Sequence, residues 1–209
     1  MTTILPPLPL TPGRRPPAGT PPQTRRLDQP FRPAPDELAE VARLCRAGTL
    51  RRVVGDVALA ADLPLSTALR ARAIRLLVPT ALERIVVVGF GTAAWVHAEW
   101  PQDADPEAPL DLVLPPALRR RLAGAGPRLR QMRLADRHVE QIEGLPVCTP
   151  ARTIADLARD LPPARAASAM SALHRATGVT VRDVLSCLDQ MPRARGGGQA
   201  RLVVAGWLT

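Results

Sequence analysis

Eleven of the 24 prolines fall within the first 35 residues, and this clustering decides where a fold can begin. Proline locks φ, removes a backbone donor and pushes the residue before it out of helical conformation. The same stretch has almost no apolar periodicity, so residues 1–35 read as a disordered or polyproline-like leader. Its pairs Arg14-Arg15 and Arg25-Arg26 offer loose attraction for phosphate or simply a solvated tail. A signal peptide would need an unbroken apolar stretch where "MTTILPPLPLTPGRRPP" is interrupted. No apolar run approaches the ~18 residues of a membrane helix. The expectation is a cytoplasmic chain with no membrane partner.

The chain as a whole, 209 residues that are 46% hydrophobic, is enough for one large domain or two small ones. The three cysteines, Cys45, Cys148 and Cys187, are odd in number and widely spaced. The histidines His97, His138 and His174 are equally scattered. Neither set has metal-ligand spacing, so no metal and no cofactor is expected. The net charge of +9 comes entirely from arginine, with no lysine in the chain. Guanidinium groups suit bidentate phosphate contacts, and a pI near 11.3 makes nucleic acid the first anionic partner to consider. With only two Phe, three Trp and no Tyr, a reader of stacked single-stranded bases is disfavoured. A duplex-phosphate reader needs no such rings.

The first structured unit is expected over residues 36–79. In "DELAEVARLCRAG", Leu38, Val41, Ala42 and Cys45 share one helical stripe. Asp36 can cap the start, Arg43 and Arg46 lie in the last turn, and Gly48 is the stop. "TLRRVVGDVALA" then places two β-branched runs around Gly55-Asp56, a two-residue hairpin turn with glycine first. Helix followed by a hairpin carrying Arg51 and Arg52 is the order of a recognition helix and its wing, although a purely structural hairpin has the same letters. A second helix is expected at about residues 66–77, with Leu69, Ala73, Leu76 and Leu77 on one side.

"RIVVVGFGTAAWVHAEW" contains a strand and the letters of a dinucleotide-binding turn. That motif also requires a long helix packed along the sheet and a carboxylate ending the next strand. Here Pro101 arrives nine residues after Thr92, and Asp111 begins "LDLVLPP". The expectation is strand, tight glycine turn and a short helix capped by Thr92. In "GLPVCTPARTIADLARDLPPA", Thr149 caps a helix with Pro150 in its first position. Ile154, Leu157, Ala158 and Leu161 form its apolar stripe. Arg152, Asp156 and Arg159 share the opposite face, where Asp156 can pair with both arginines; a solvated polar face explains this without a ligand. Further strands are expected at "LDLVLP" and "PRLRQMRL", with helices near 163–176 and 180–190. A glycine linker and a short apolar segment end the chain.

Three of these stretches together resemble the AbiEi-type antitoxins of type IV toxin–antitoxin systems, especially actinobacterial ones. "LCRAGTLRRVVGDVAL" resembles their wing region, "VVVGFGTAAWVHAEW" their strand and "TAAxLHG" block, and "GLPVCTPARTIADLAR" their "GLPVTTPARTLVDLAR". Order and spacing agree over about residues 38–160. The resemblance implies an α+β fold: an N-terminal winged-helix-like unit followed by a mixed α/β antitoxin-type domain over 80–209. It implies a non-enzymatic repressor that binds double-stranded operator DNA and counters a nucleotidyltransferase toxin. Arg43, Arg46, Arg51 and Arg52 carry over as DNA-contacting positions, with Gly48 and Gly55 as wing turns. Thr92, His97, Arg152, Thr153 and Asp156 carry over as the signature of the second domain. This sequence departs from the family in having a proline-rich leader where further helices complete the helix-turn-helix. It also lacks an aromatic at the end of the wing, where Ala58 or Leu59 stands. A module that has lost DNA binding and acts only through a partner protein is the alternative.

Overall fold

The computed structural model describes residues 28–101, 105, 107–116, 126–191 and 196–208. Among them the chain is α+β, with seven α-helices and two sheets. A single 3-10 turn, Pro35–Glu37, runs into α1 (Leu38–Arg46). Asp36 does not cap it. The Glu37 carboxylate instead accepts the Ala34 N–H at 2.8 Å. The far end follows the sequence, with Arg43 and Arg46 in the last turn and Gly48 at φ +73°, a conformation open to glycine at little cost.

β1 (Leu50–Val54) and β2 (Val57–Ala60) form an antiparallel hairpin, turned by Gly55 at φ +56°. The leader does not extend to residue 35. Phe31 exchanges both backbone hydrogen bonds with Ala58 at 2.9 Å, Pro30 and Pro33 are buried, and the Gln29 side chain accepts from Arg72. Residues 28–35 therefore belong to the first unit, while residues 1–27 lie outside the described residues. The stripe of α1 is also rotated. Val41, Leu44 and Cys45 pack on Phe31, Leu50 and Ala58, while Leu38 and Ala42 face outward. α2 (Thr67–Arg75) is capped by Ser66, whose hydroxyl accepts the Leu69 N–H at 3.3 Å. Its inward face is Arg70, Ala71, Ala73 and Ile74, and Leu76 is exposed. Of the expected apolar side, Ala73 is buried and Leu77, just past the helix, packs against the same core.

The main sheet comprises β3 (Val87–Val88), β4 (Asp111–Leu114), β5 (Arg128–Gln131), β6 (Val139–Ile142) and β7 (Leu145–Cys148), in the order β5-β4-β3-β7-β6. β3 pairs parallel to β7 and β4 parallel to β5; the other pairings are antiparallel. The sheet is thus mixed. The β6–β7 hairpin, turned by Glu143 and Gly144 at φ +52° and +73°, is an element the sequence reading did not anticipate.

α3 (Phe90–Ala98) follows β3 directly. On the other side of the sheet's sequence come α4 (Pro150–Asp160), α5 (Pro163–Thr177), α6 (Val181–Gln190) and α7 (Gly197–Ala205). Part of the expected glycine linker is helix. Gly197 and Gly198 open α7, and Gly196 sits at φ +84°, where a Cβ would come within 2.9 Å of the Arg159 carbonyl oxygen.

Two large cores result. Ile154, Ala158, Met170, Leu173 and Leu188 join α4, α5 and α6. Val57, Ile74, Leu82, Val88, Leu112 and Val147 join the hairpin and α2 to the sheet. Each fully buried aliphatic side chain contributes about 1.5–3 kcal/mol. The second core crosses residue 79, so the first unit shares apolar packing with the main domain. No helix among the described residues is long and apolar enough to cross a membrane.

Candidate functional site

The arginines expected to meet DNA differ in how free they are. Arg43 and its neighbour Glu40 form an exposed pair at 2.6 Å, with side chains 61% and 56% accessible. Water screens such a pair, and a phosphate can replace the carboxylate. Arg46 is exposed, and among the described residues its side chain donates to the Ala42 carbonyl at 3.4 Å. Arg51 is half-buried, and its Nη2 donates to the Leu63 carbonyl at 2.5 Å. Arg52 curls onto the Gly55 carbonyl through Nε (3.1 Å) and Nη2 (2.7 Å), with Glu107 3.5 Å away. Val57, Ala58 and Leu59 of β2 are fully buried. The ribbon is therefore packed against the protein, and both its arginines are engaged internally. Gly48 and Gly55 do occupy the turns expected of them.

Of the five residues carried over as a second-domain signature, His97 and Thr153 share one acceptor, while Thr92 and the Arg152–Asp156 pair make separate contacts. Thr92 is not a cap. The helix starts two residues earlier, with Gly89 as its N-cap, and the Thr92 hydroxyl accepts the Asp111 N–H at 2.8 Å, tying α3 to β4. The glycines before it serve close packing: a Cβ on Gly89 would lie 2.8 Å from Val113 Cγ2, and one on Gly91 3.3 Å from Asp111 Oδ2. His97, near the other end of α3, donates from Nε2 to the Cys148 carbonyl at 2.8 Å. The Thr153 hydroxyl donates to that same carbonyl at 3.2 Å. One oxygen at the end of β7 thus joins α3 to α4.

The face of α4 expected to be solvated is buried. Thr149 and Pro150 start the helix as anticipated, with the Thr149 hydroxyl accepting the Arg152 N–H at 3.4 Å. Arg152 and Asp156 are 3% and 2% exposed, and Arg152 Nε donates to Asp156 Oδ2 at 2.8 Å. The remaining guanidinium nitrogens donate to His138 Nδ1 (3.3 Å) and Met132 Sδ (3.1 Å). Burial raises the Asp156 carboxyl, and the Arg152 guanidinium opposes it. No partner molecule can touch these two side chains without opening the core.

Cys187 Sγ lies 3.9 Å from His138 Nε2, which invites comparison with a cysteine–histidine nucleophile. The hydrogen bond from Arg152 makes His138 Nδ1 an acceptor, so its proton resides on Nε2, facing the sulfur. A base that must take the thiol proton needs that nitrogen free. Burial also pushes the Cys187 thiol up to about 11 and Cys148 up to about 12. These thiols are core residues. Among the described residues, no three His, Cys, Asp or Glu side chains are grouped to hold a metal ion.

The two buried histidines make stability depend on pH. Burial is the largest cause lowering both His97 and His138 from 6.5. The folded chain then binds fewer protons than the unfolded chain as pH falls past 6.5, so stability drops. The limiting slope is about 1.4 kcal/mol per pH unit per histidine. Asp111 and Asp156, raised from 3.8 by burial, give the opposite slope in the range between their folded values and 3.8. Melting temperatures should be level from pH 8 to 7 and decline below about 6.5. A melting temperature that rises on acidification through that range contradicts the assignment.

Sequence reasoning missed Arg70. Its guanidinium, in the interior, donates to the carbonyls of Val96 (2.8 Å), His97 (3.2 Å) and Leu65 (2.5 Å), and to the Thr67 hydroxyl (3.2 Å). It thereby places a cation on the C-terminal turn of α3 and fastens α2 to it. No family model and no curated protein matches this chain.

Proposed function

We propose that this chain is a non-enzymatic regulator of the AbiEi antitoxin type, which binds its operator DNA and counters a nucleotidyltransferase toxin. The observation that carries this reading is the unit formed by α1, the Gly48 turn and the ribbon. The Phe31–Ala58 bridge adds a third extended segment beside the ribbon, as a wing-bearing unit requires. DNA contact then falls to the outer face of α1, through Arg43 and Arg46. The leader assists through the four arginines and no acids of residues 1–27. Arg51 and Arg52 stiffen the ribbon by donating to the Leu63 and Gly55 carbonyls. Among the described residues no second helix precedes α1, and the affinity of this unit rests on phosphate contacts.

A second reading, action through a partner protein alone, is favoured by the internal engagement of Arg51 and Arg52. It is also favoured by the near balance of eight arginines against six acids over residues 28–79. A mobility-shift titration of the upstream DNA over a range of salt separates the two. The regulator reading expects a salt-dependent shift, and Arg43→Ala with Arg46→Ala should lower the slope of log K against log salt by about two. No shift at moderate salt, with toxin still countered on co-production, supports the partner reading.

A further inference from the structure

A cleft of about 520 Å³ opens where the ribbon and α2 meet the main domain, within the roughly 300–1,000 Å³ of small-molecule sites. Its floor is the start of α3, with Phe90 held at φ +49°. Trp95 and Trp100 line it as well, Trp95 half-buried and Trp100 only 8% exposed with its Nε1 donating to the Ser168 hydroxyl at 3.1 Å.

The charges in the cleft are unevenly satisfied. Arg130 is committed: it forms a bidentate pair with Asp160 at 2.9 and 3.1 Å, and lies 3.9 Å over the Phe90 ring. Asp111 is only 7% exposed, yet among the described residues its Oδ1 accepts no hydrogen bond; the Arg130 Nε stands 3.5 Å away. A buried carboxylate oxygen without a donor is rare and suits a hydroxyl or amine brought by a ligand. Arg128 and Arg165 also line the cleft, are exposed, and have no carboxylate in ion-pair range among the described residues. Arg165 stands 5.8 Å over the Trp100 ring and the Arg128 charge acts on Asp111; neither forms an ion pair among the described residues, and two such guanidinium groups suit a phosphate.

Anion receptors, ring surface and a donor-seeking carboxylate in one cleft of this size point to a single ligand class. We propose that the cleft binds a nucleoside monophosphate unit, with its phosphate on Arg128 and Arg165, its base against the tryptophan-lined wall and a sugar hydroxyl donating to Asp111. The unit comes either as a free nucleotide or as the 5′-phosphorylated end of a nucleic acid. This holds whether or not α1 meets operator DNA.

The test uses the full chain, with AMP, GMP, CMP, UMP, adenosine, inorganic phosphate and a 5′-phosphorylated tetranucleotide, read by melting temperature and tryptophan emission. At least one phosphorylated nucleoside should raise the melting temperature by mass action and change the emission. Arg128→Ala with Arg165→Ala should weaken that binding by about tenfold or more. Asp111→Asn, similar in shape, should weaken it as well. Arg43→Ala with Arg46→Ala should leave it unchanged, which separates this site from the DNA face. Tighter binding of the tetranucleotide identifies a nucleic-acid end, and tighter binding of a mononucleotide identifies a free effector; both support the site. No response to any phosphorylated compound at millimolar concentration overturns the proposal. So does an undiminished response in the doubly substituted chain, or phosphate alone binding as tightly as the nucleotides.

Discussion

Arg152→Ala is expected to lower the free energy of unfolding by about 3–5 kcal/mol, the cost of breaking a buried ion pair from one side. The substitution removes one side chain and strands several groups. Asp156, 2% exposed, keeps a charge or takes up a proton in a site that water cannot reach. His138 Nδ1 and Met132 Sδ lose their donor, and a cavity opens between α4, α6 and the segment leading into β6. Replacing both partners, Arg152→Met with Asp156→Leu, should recover most of that loss, because apolar residues of similar volume avoid the desolvation of two charges. Denaturant unfolding with an unchanged m-value measures both. A cost below about 1 kcal/mol for Arg152→Ala would place this pair in water, at the level of a surface bridge.

Arg70→Ala should be the next most damaging change, at about 2–4 kcal/mol, from the loss of charge-assisted hydrogen bonds that leaves buried carbonyls unpaired. Three carbonyl oxygens, from Leu65, Val96 and His97, lose a donor together. Two of these end α3, so the cation that offsets its helix dipole goes as well. Desolvation lowers the pKa of this arginine, and it remains in place because its fork meets so many acceptors. Arg70→Lys should rescue only part of the loss, since an ammonium on a flexible stem cannot reproduce the planar fork. Amide exchange should then report early opening between α2 and α3. A variant as stable as the native chain, with α2 still protected, would contradict the role assigned to Arg70.

The elements legible in the sequence are those written in local chemistry. Gly48 ends α1, Gly55 turns the ribbon, Thr149 and Pro150 start α4, and Thr180 with Asp183 starts α6 through a reciprocal cap. Each signal lies within four residues of what it controls. The misread features depend on distant partners. Helical spacing puts Arg152, Asp156 and Arg159 on one face of α4, and nothing in that spacing reveals that His138 and Met132 accept from Arg152 and that Cys187 lies beyond His138. Nothing local marks Arg70 as buried, because two of its acceptors lie 26 and 27 positions away. The β6–β7 hairpin is findable: "VEQIEGLPVC" sets two short runs around Glu-Gly, whose glycine accepts positive φ. The wing arginines were recognised as residues, but their engagement by Leu63, Gly55 and Glu107 is a tertiary fact.

The residues from Thr92 to Asp156 that resemble an antitoxin signature hold the second domain together, whereas operator contact is proposed for the outer face of α1. The direct measurement is operator affinity of the Arg152→Met, Asp156→Leu chain beside that of the Arg43→Ala, Arg46→Ala chain, each first shown to unfold cooperatively. The account predicts native affinity for the former and a weakened, less salt-sensitive complex for the latter. A folded Arg152→Met, Asp156→Leu protein that no longer holds the operator, with the α1 variant unimpaired, would contradict it.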